Sequence, residues 1–161
     1  MIESDKWVVI YTKPNFEKKI GKELSFIGVE YYLPYQRVRK QWKDRKKWVE
    51  ELLFRSYLFI KEADFILHKE RIVHIPGYLK TIFHNGKTVL VENVEIDRIK
   101  KMCESGRKIE VSSEKPVDGD ELTVTDSIFA GVKGVVVTRN RKQYLYISSL
   151  NSYLILPAIE N

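Results

Sequence analysis

The side chains that could do chemistry in this chain of 161 residues are few: three histidines, one cysteine and a scatter of carboxylates. His68 and His74 are six apart in a helical stretch, which sets them on different faces, and His84 stands beside a turn. That spacing supports neither a metal site nor a base paired with a nucleophile, and the histidines read as surface or capping residues. Cys103 is alone, which excludes an intramolecular disulfide and any multi-cysteine metal site; it reads as a small buried hydrophobe in a reducing compartment. Glu50 and Glu51 are adjacent, so a strand would point them to opposite faces, away from shared acid and base work. Gly131 and Gly134 lie in a β-rich segment with no helix after them, unlike a phosphate-cradling loop. No catalytic residue, metal, cofactor or small-molecule substrate is expected, and the chain reads as a non-enzyme.

Binding is the better-supported chemistry. The net charge is +6 and the sequence pI near 9.3, which favours an anionic partner, with nucleic acid the usual candidate. The segment Gln36–Trp48 holds seven basic residues against one acidic, interrupted by Val38, Trp42 and Trp48. Alternation at Arg37, Val38 and Arg39 followed by Asp44-Arg45 predicts a hairpin with a charged tip. Two accounts fit it: a solvated arm that protects an edge strand, and a basic arm with aromatics beside a phosphate backbone. Met1 to Lys6 carries both signs of charge with no apolar run after it, so no signal peptide or membrane anchor is expected, and the cytoplasm is the expected location.

The elements that must position these residues follow from periodicity. Leu52 to Ile60 is aromatic and apolar apart from Arg55 and Ser56, too short to span a bilayer, and predicts a buried central strand. Trp7-Val8-Val9-Ile10-Tyr11 is apolar at every position and predicts a strand paired with it. Pro14 ends that run and Asn15 is placed to cap a helix, along which Phe16, Ile20, Leu24 and Ile27 form one stripe and Gly28 the stop. Val29 to Pro34 predicts a strand. A second helix is expected from Glu62 with Asp64 as its cap, ended by Pro76-Gly77. Tyr78–Phe83 and Thr88–Val91 predict a hairpin about Asn85-Gly86, and Asn93 the cap of a third helix carrying Val94, Ile96, Ile99, Met102 and Cys103.

From Glu104 to Pro116 apolar periodicity weakens and Ser, Glu, Lys and Gly accumulate, the composition of a linker. Beyond it, five short runs, at Leu122–Thr125, Phe129–Gly131, Val135–Thr138, Tyr144–Ile147 and Tyr153–Leu156, predict a small closed β-barrel. The β-branched run Val135–Thr138 disfavours a helical alternative. The expected domains are 1–103, a linker 104–116, and 117–161.

Trp7-Val8-Val9-Ile10-Tyr11 with Glu17, then Tyr32-Leu33-Pro34, then Phe54-Arg55-Ser56-Tyr57-Leu58-Phe59 resembles the N-terminal (NGN) domain of the NusG family of transcription elongation factors. Gly119-Asp120, Val124 to Asp126, Phe129-Ala130-Gly131 and Gly134-Val135-Val136 resemble the KOW domain that follows it. The short, lysine-rich form is similar to the specialised antiterminator paralogues of the RfaH and capsule-operon kind. The resemblance implies an α+β fold: a ferredoxin-like domain with an antiparallel sheet and helices, joined to an SH3-like KOW barrel. It implies a noncatalytic factor that binds the clamp helices of the largest RNA polymerase subunit and suppresses pausing or termination at a limited set of operons. By position, Tyr11 and Phe54 fall in the polymerase-binding pocket with Tyr57 and Phe59 beside them. Phe54 shares a face with Tyr57 and Phe59 only if the strand starts after Phe54 or carries a bulge.

Lys13 and Lys19, with Lys18 their neighbour, match positions that approach the nontemplate DNA strand; a solvated helix start is the competing account. Phe129, with Ile128 before it, matches the loop where the KOW barrel meets Rho or a small-subunit ribosomal protein. Three departures stand out. Phe54-Arg55-Ser56-Tyr57 replaces Phe-Pro-Gly-Tyr, Ser127-Ile128 replaces Gly-Pro, and His68-Lys69-Glu70 replaces His-Thr-Thr. A ribosome-associated or RNA-binding KOW protein is the alternative reading.

Overall fold

The structure, a computed structural model, describes residues 5–84, 86–104 and 108–112, and the strands at 136–139, 142–147 and 152–156. By contacts the chain divides into two units, one of residues 1–33 and 54–96, the other of 34–53 and 97–161.

In the first unit β1 (Lys6–Thr12) is the strand on which the sheet is built. It is flanked by α1 (Glu17–Phe26), β2 (Tyr31–Tyr32), β5 (Tyr57–Lys61), α2 (Glu62–Val73), β6 (Tyr78–Thr81) and β9 (Leu90–Glu92). The strand order is β2-β5-β1-β6, all antiparallel, with β9 also paired to β1. This is the split arrangement in which each of two helices follows a strand and β5 enters between β2 and β1. β1 pairs with β5 from Trp7↔Lys61 to Tyr11↔Tyr57, as its apolar run predicts. The other edge of β1 is shared, β9 beside Lys6–Val8 and β6 beside Ile10–Thr12. Trp7, Val8, Val9 and Ile10 are all buried, because both faces of this strand are covered.

Helix α1 shows why its sequence stops where it does. Ile20 and Leu24 are fully buried while Lys18, Lys19 and Lys22 stay exposed. Gly28 takes φ +77, its N–H bonds Ser25 O at 3.1 Å, and Val29 N–H bonds Leu24 O at 2.9 Å, the paired closure of a Schellman motif. The expected cap at Asn15 is corrected: Asn15 sits in the left-handed region at φ 68, and Phe16 occupies the cap position with no side-chain bond. Asp64 does not cap α2 either. The helix begins earlier, at Glu62, and the Asp64 carboxylate instead accepts the Glu30 N–H at 2.8 Å, fastening the approach to β2. Of α3 (Asn93–Glu104), Ile96, Ile99 and Met102 are buried, but Val94 is exposed. The strand expected over 29–34 contracts to Tyr31–Tyr32. About the Asn85-Gly86 position, β7 (Phe83–His84) pairs with β8 (Lys87–Thr88), and Gly86 is at φ +75.

In the second unit β3 (Tyr35–Trp42) and β4 (Arg45–Leu52) form the hairpin expected from the basic segment, in register from Tyr35↔Leu52 to Trp42↔Arg45. The single strand expected over Leu52–Ile60 is corrected here. Leu52 ends β4, and the next strand begins only at Tyr57, because the chain turns through Ser56 at φ 67. A second sheet has the order β10-β13-β12-β11, from Glu110–Ser112, Ser152–Leu156, Lys142–Ile147 and Val136–Arg139, all antiparallel. The β-branched run at 136–138 is thus strand, and Glu110–Ser112, within the expected linker composition, is a strand of this sheet.

Candidate partner-binding site

Residues on one face of a strand recur every second position, so Trp7, Val9 and Tyr11 share a face of the first sheet with Tyr57, Phe59 and Lys61 opposite them. Tyr11 and Tyr57 are direct cross-strand partners, with ring centroids 5.4 Å apart at 59°. Phe59 lies two residues on; Phe54 meets its ring edge-on at 5.9 Å, and Tyr32, its partner on β2, lies at 6.2 Å with the two rings inclined by 30°. The four aromatics expected from the sequence are therefore contiguous. Phe54 reaches this face because β5 starts after it.

Burial separates their roles. Phe59 is fully buried and Phe54 is 7 % exposed, whereas Tyr57 is 36 % exposed and Tyr11 half-buried. The phenylalanines belong to the core, and the tyrosines are accessible at the surface. Lysines frame it: Lys80 Nζ lies 5.7 Å from the Tyr11 ring centre and Lys61 Nζ 4.9 Å from that of Trp7. Trp7 donates its indole N–H to Asn93 Oδ1 at 3.0 Å, so its polar end is satisfied within the fold. Lys61 and Lys80 were not singled out by the sequence, and Tyr32 only as part of the Tyr32-Leu33-Pro34 segment; their place here depends on strand register, which local pattern does not carry.

The turn before Tyr57 is held from a buried carboxylate. Glu17 is 4 % exposed, and its Oε1 accepts the Ser56 N–H at 3.0 Å while Ser56 O accepts the Thr12 N–H at 2.8 Å. Ser56 is thereby kept in a left-handed conformation that a side chain resists by about 1–2 kcal/mol. This explains a glycine at that position in the Phe-Pro-Gly-Tyr pattern: Ser56 keeps the backbone shape without the glycine. A second constraint lies close by. Gly77, at φ +101, bonds Lys13 N–H through its carbonyl at 2.9 Å, and a Cβ there would meet the Phe16 ring at 2.5 Å.

Lys13, Lys18 and Lys19 are all exposed, Lys13 after β1 and the other two in the first turn of α1. Lys19 lies over the Phe16 ring at 4.9 Å. His74 follows α2, its Nδ1 2.6 Å from Glu70 O, and His68 sits at a kink in that helix with φ −116 and ψ 17. Glu50 and Glu51 face opposite sides of the hairpin, opposite Arg37 and Gln36 respectively. Among the described residues no cluster of three or more His, Cys, Asp or Glu could hold a metal, and no helix is long and apolar enough to cross a membrane. Ile128 and Phe129 lie outside the described residues.

Comparison with protein families matches residues 5–100 to the model described as transcription termination factor nusG. Comparison with curated proteins finds no match. A solved structure described as "Domain interaction in Thermotoga maritima NusG" is similar over 94 % of this chain and 93 % of its own, at 19 % identity and a TM-score of 0.46.

Proposed function

The chain belongs to the NusG family of transcription factors, and on that premise we propose that it docks on the clamp helices of the largest RNA polymerase subunit through the Tyr11–Tyr57 surface. It acts there as a noncatalytic elongation or antitermination factor, of the specialised RfaH-like or capsule-operon kind, at a limited set of operons. Residues 1–103 supply the polymerase contact. Residues 117–161 form an SH3-like KOW barrel that meets Rho or a small-subunit ribosomal protein through Ile128 and Phe129. Lys13, Lys18 and Lys19 approach the nontemplate DNA strand.

The observation that carries the reading is the pairing of two accessible tyrosines across neighbouring strands, on a sheet face whose other aromatics are buried. Aromatic rings with fixed support and polar edges are what interface anchors are made of, since little conformational freedom is lost on contact. Phe54 contributes through its edge-on contact with the buried Phe59.

The test is a titration of the full chain with a fragment carrying the polymerase clamp helices. Tyr57→Ala and Tyr11→Ala should each weaken binding by about 2–4 kcal/mol, the range of interface anchors, while leaving the fold intact. Failure of the wild type to bind would sink the proposal. Salt-sensitive RNA binding indifferent to both tyrosines would establish the ribosome-associated or RNA-binding reading instead.

A further inference from the structure

The β3–β4 hairpin changes character halfway along. Its inner part is built to pack: Gln36 is 6 % and Val38 5 % exposed, and Lys40 reaches back to Glu51 at 2.5 Å. From Arg39 to Trp48 every residue is exposed, and this stretch holds six basic residues against one acidic. Lys40 stands directly opposite Lys47, an arrangement of like charges that weakens a strand pair. Trp42 and Trp48 are 57 % and 49 % exposed, with the Arg37 guanidinium 5.7 Å from the Trp48 ring. A hairpin that only kept an edge in solution would mix its charges and would carry no tryptophans in water.

We propose that the outer half of this hairpin is a binding site for double-helical DNA, entered into a groove as a two-stranded ribbon. The face assignment favours a duplex over a single strand or an acidic peptide. Arg39 and Lys46 lie on one face of the ribbon, Arg45 and Lys47 on the other. A single strand laid along the hairpin meets one face, whereas the two phosphate walls of a groove meet both. The dimensions agree. Four residues beyond Val38, at about 3.4 Å each, reach roughly 14 Å. A B-form major groove is about 12 Å wide and 8.5 Å deep, and it admits a two-stranded ribbon. The cations on the walls supply affinity without sequence, and Trp42, next to the tip, reaches the base edges. This site is separate from Lys13, Lys18 and Lys19 and needs no polymerase, so it stands or falls apart from the function proposed above.

The experiment is fluorescence anisotropy of the full chain on a short labelled DNA duplex, and on one of its strands alone, over a series of salt concentrations. Wild type should prefer the duplex. The triple variant Arg39→Ala/Lys46→Ala/Lys47→Ala should lose at least about tenfold in affinity, and its salt slope should fall by about 2.7, near 0.9 for each phosphate contact removed. The charge-preserving triple Arg39→Lys/Lys46→Arg/Lys47→Arg should keep the slope, which separates lost charge from lost fold. Tighter binding to the single strand would overturn the proposal. So would an alanine variant indistinguishable from wild type.

Discussion

The sheet face around Tyr11 and the outer hairpin around Trp42 draw on the same residue types, aromatics beside lysines and arginines, and dispose them in opposite ways. On the sheet, Phe54 and Phe59 are buried so that Tyr11 and Tyr57 can be shown. On the hairpin, both tryptophans and all the cations of the outer half stand in water. One surface is rigid because its visible part is the top of a core. The other is held chiefly by its backbone ladder and is chemically a rod of charge. What separates them is support from below, and composition alone does not reveal it.

Substitutions that remove that support should sharpen the contrast most. Phe59→Ala deletes a fully buried ring that two other aromatics touch, and should cost about 3–5 kcal/mol of stability, read as a fall in the denaturant midpoint. A loss under about 1 kcal/mol would show that the cluster of Phe59 with Phe54 and Tyr32 does not hold the sheet. Next in size, Glu17→Ala leaves the buried Ser56 N–H without an acceptor and should cost about 1–3 kcal/mol, most of it recovered by Glu17→Gln, which keeps a carbonyl oxygen in place. Equal losses in the two variants would mean that the carboxylate acts by charge and not as an acceptor for the turn. The smallest effect belongs to the hairpin: Trp42→Ala should change stability by no more than about 0.5 kcal/mol, as expected where a side chain touches little. A larger loss would mean that the outer hairpin has packing of its own, and the two surfaces would be alike after all.

Much of the fold was legible because its signals are local. An unbroken apolar run specifies β1, a stripe ending in glycine specifies α1, and a basic alternation with a charged tip specifies the β3–β4 hairpin. What escaped depends on partners remote in sequence. Glu17 belongs to the segment that carries the family resemblance, but its role is not legible until Ser56, 39 residues on, arrives to donate to it. Asp64 looks like a cap, yet its oxygen is claimed by Glu30, and Leu52–Ile60 reads as one strand until the left-handed Ser56 is seen to break it. At the site, Lys80 comes beside Tyr11 through the pairing of β1 with β6, whose register shifts between Tyr11 and Thr12. Periodicity within either strand could not have supplied that.

The Gln36 side chain has a consequence for the order in which the second unit assembles. Its Nε2 donates to Ile109 O at 3.1 Å and its Oε1 accepts the Ile109 N–H at 2.7 Å, so one carboxamide does for residue 109 what a neighbouring strand would do. The two residues are 73 apart in sequence, and the entropy of closing so long a loop opposes the contact until other structure has drawn its ends together. The hairpin that carries Gln36 needs no such help, since its strands meet across a two-residue tip and hairpins of this kind form in about 1–10 μs. Gln36 is thus a latch on a finished part: it waits in place, and it accepts the distant segment only when both polar groups of Ile109 arrive in register.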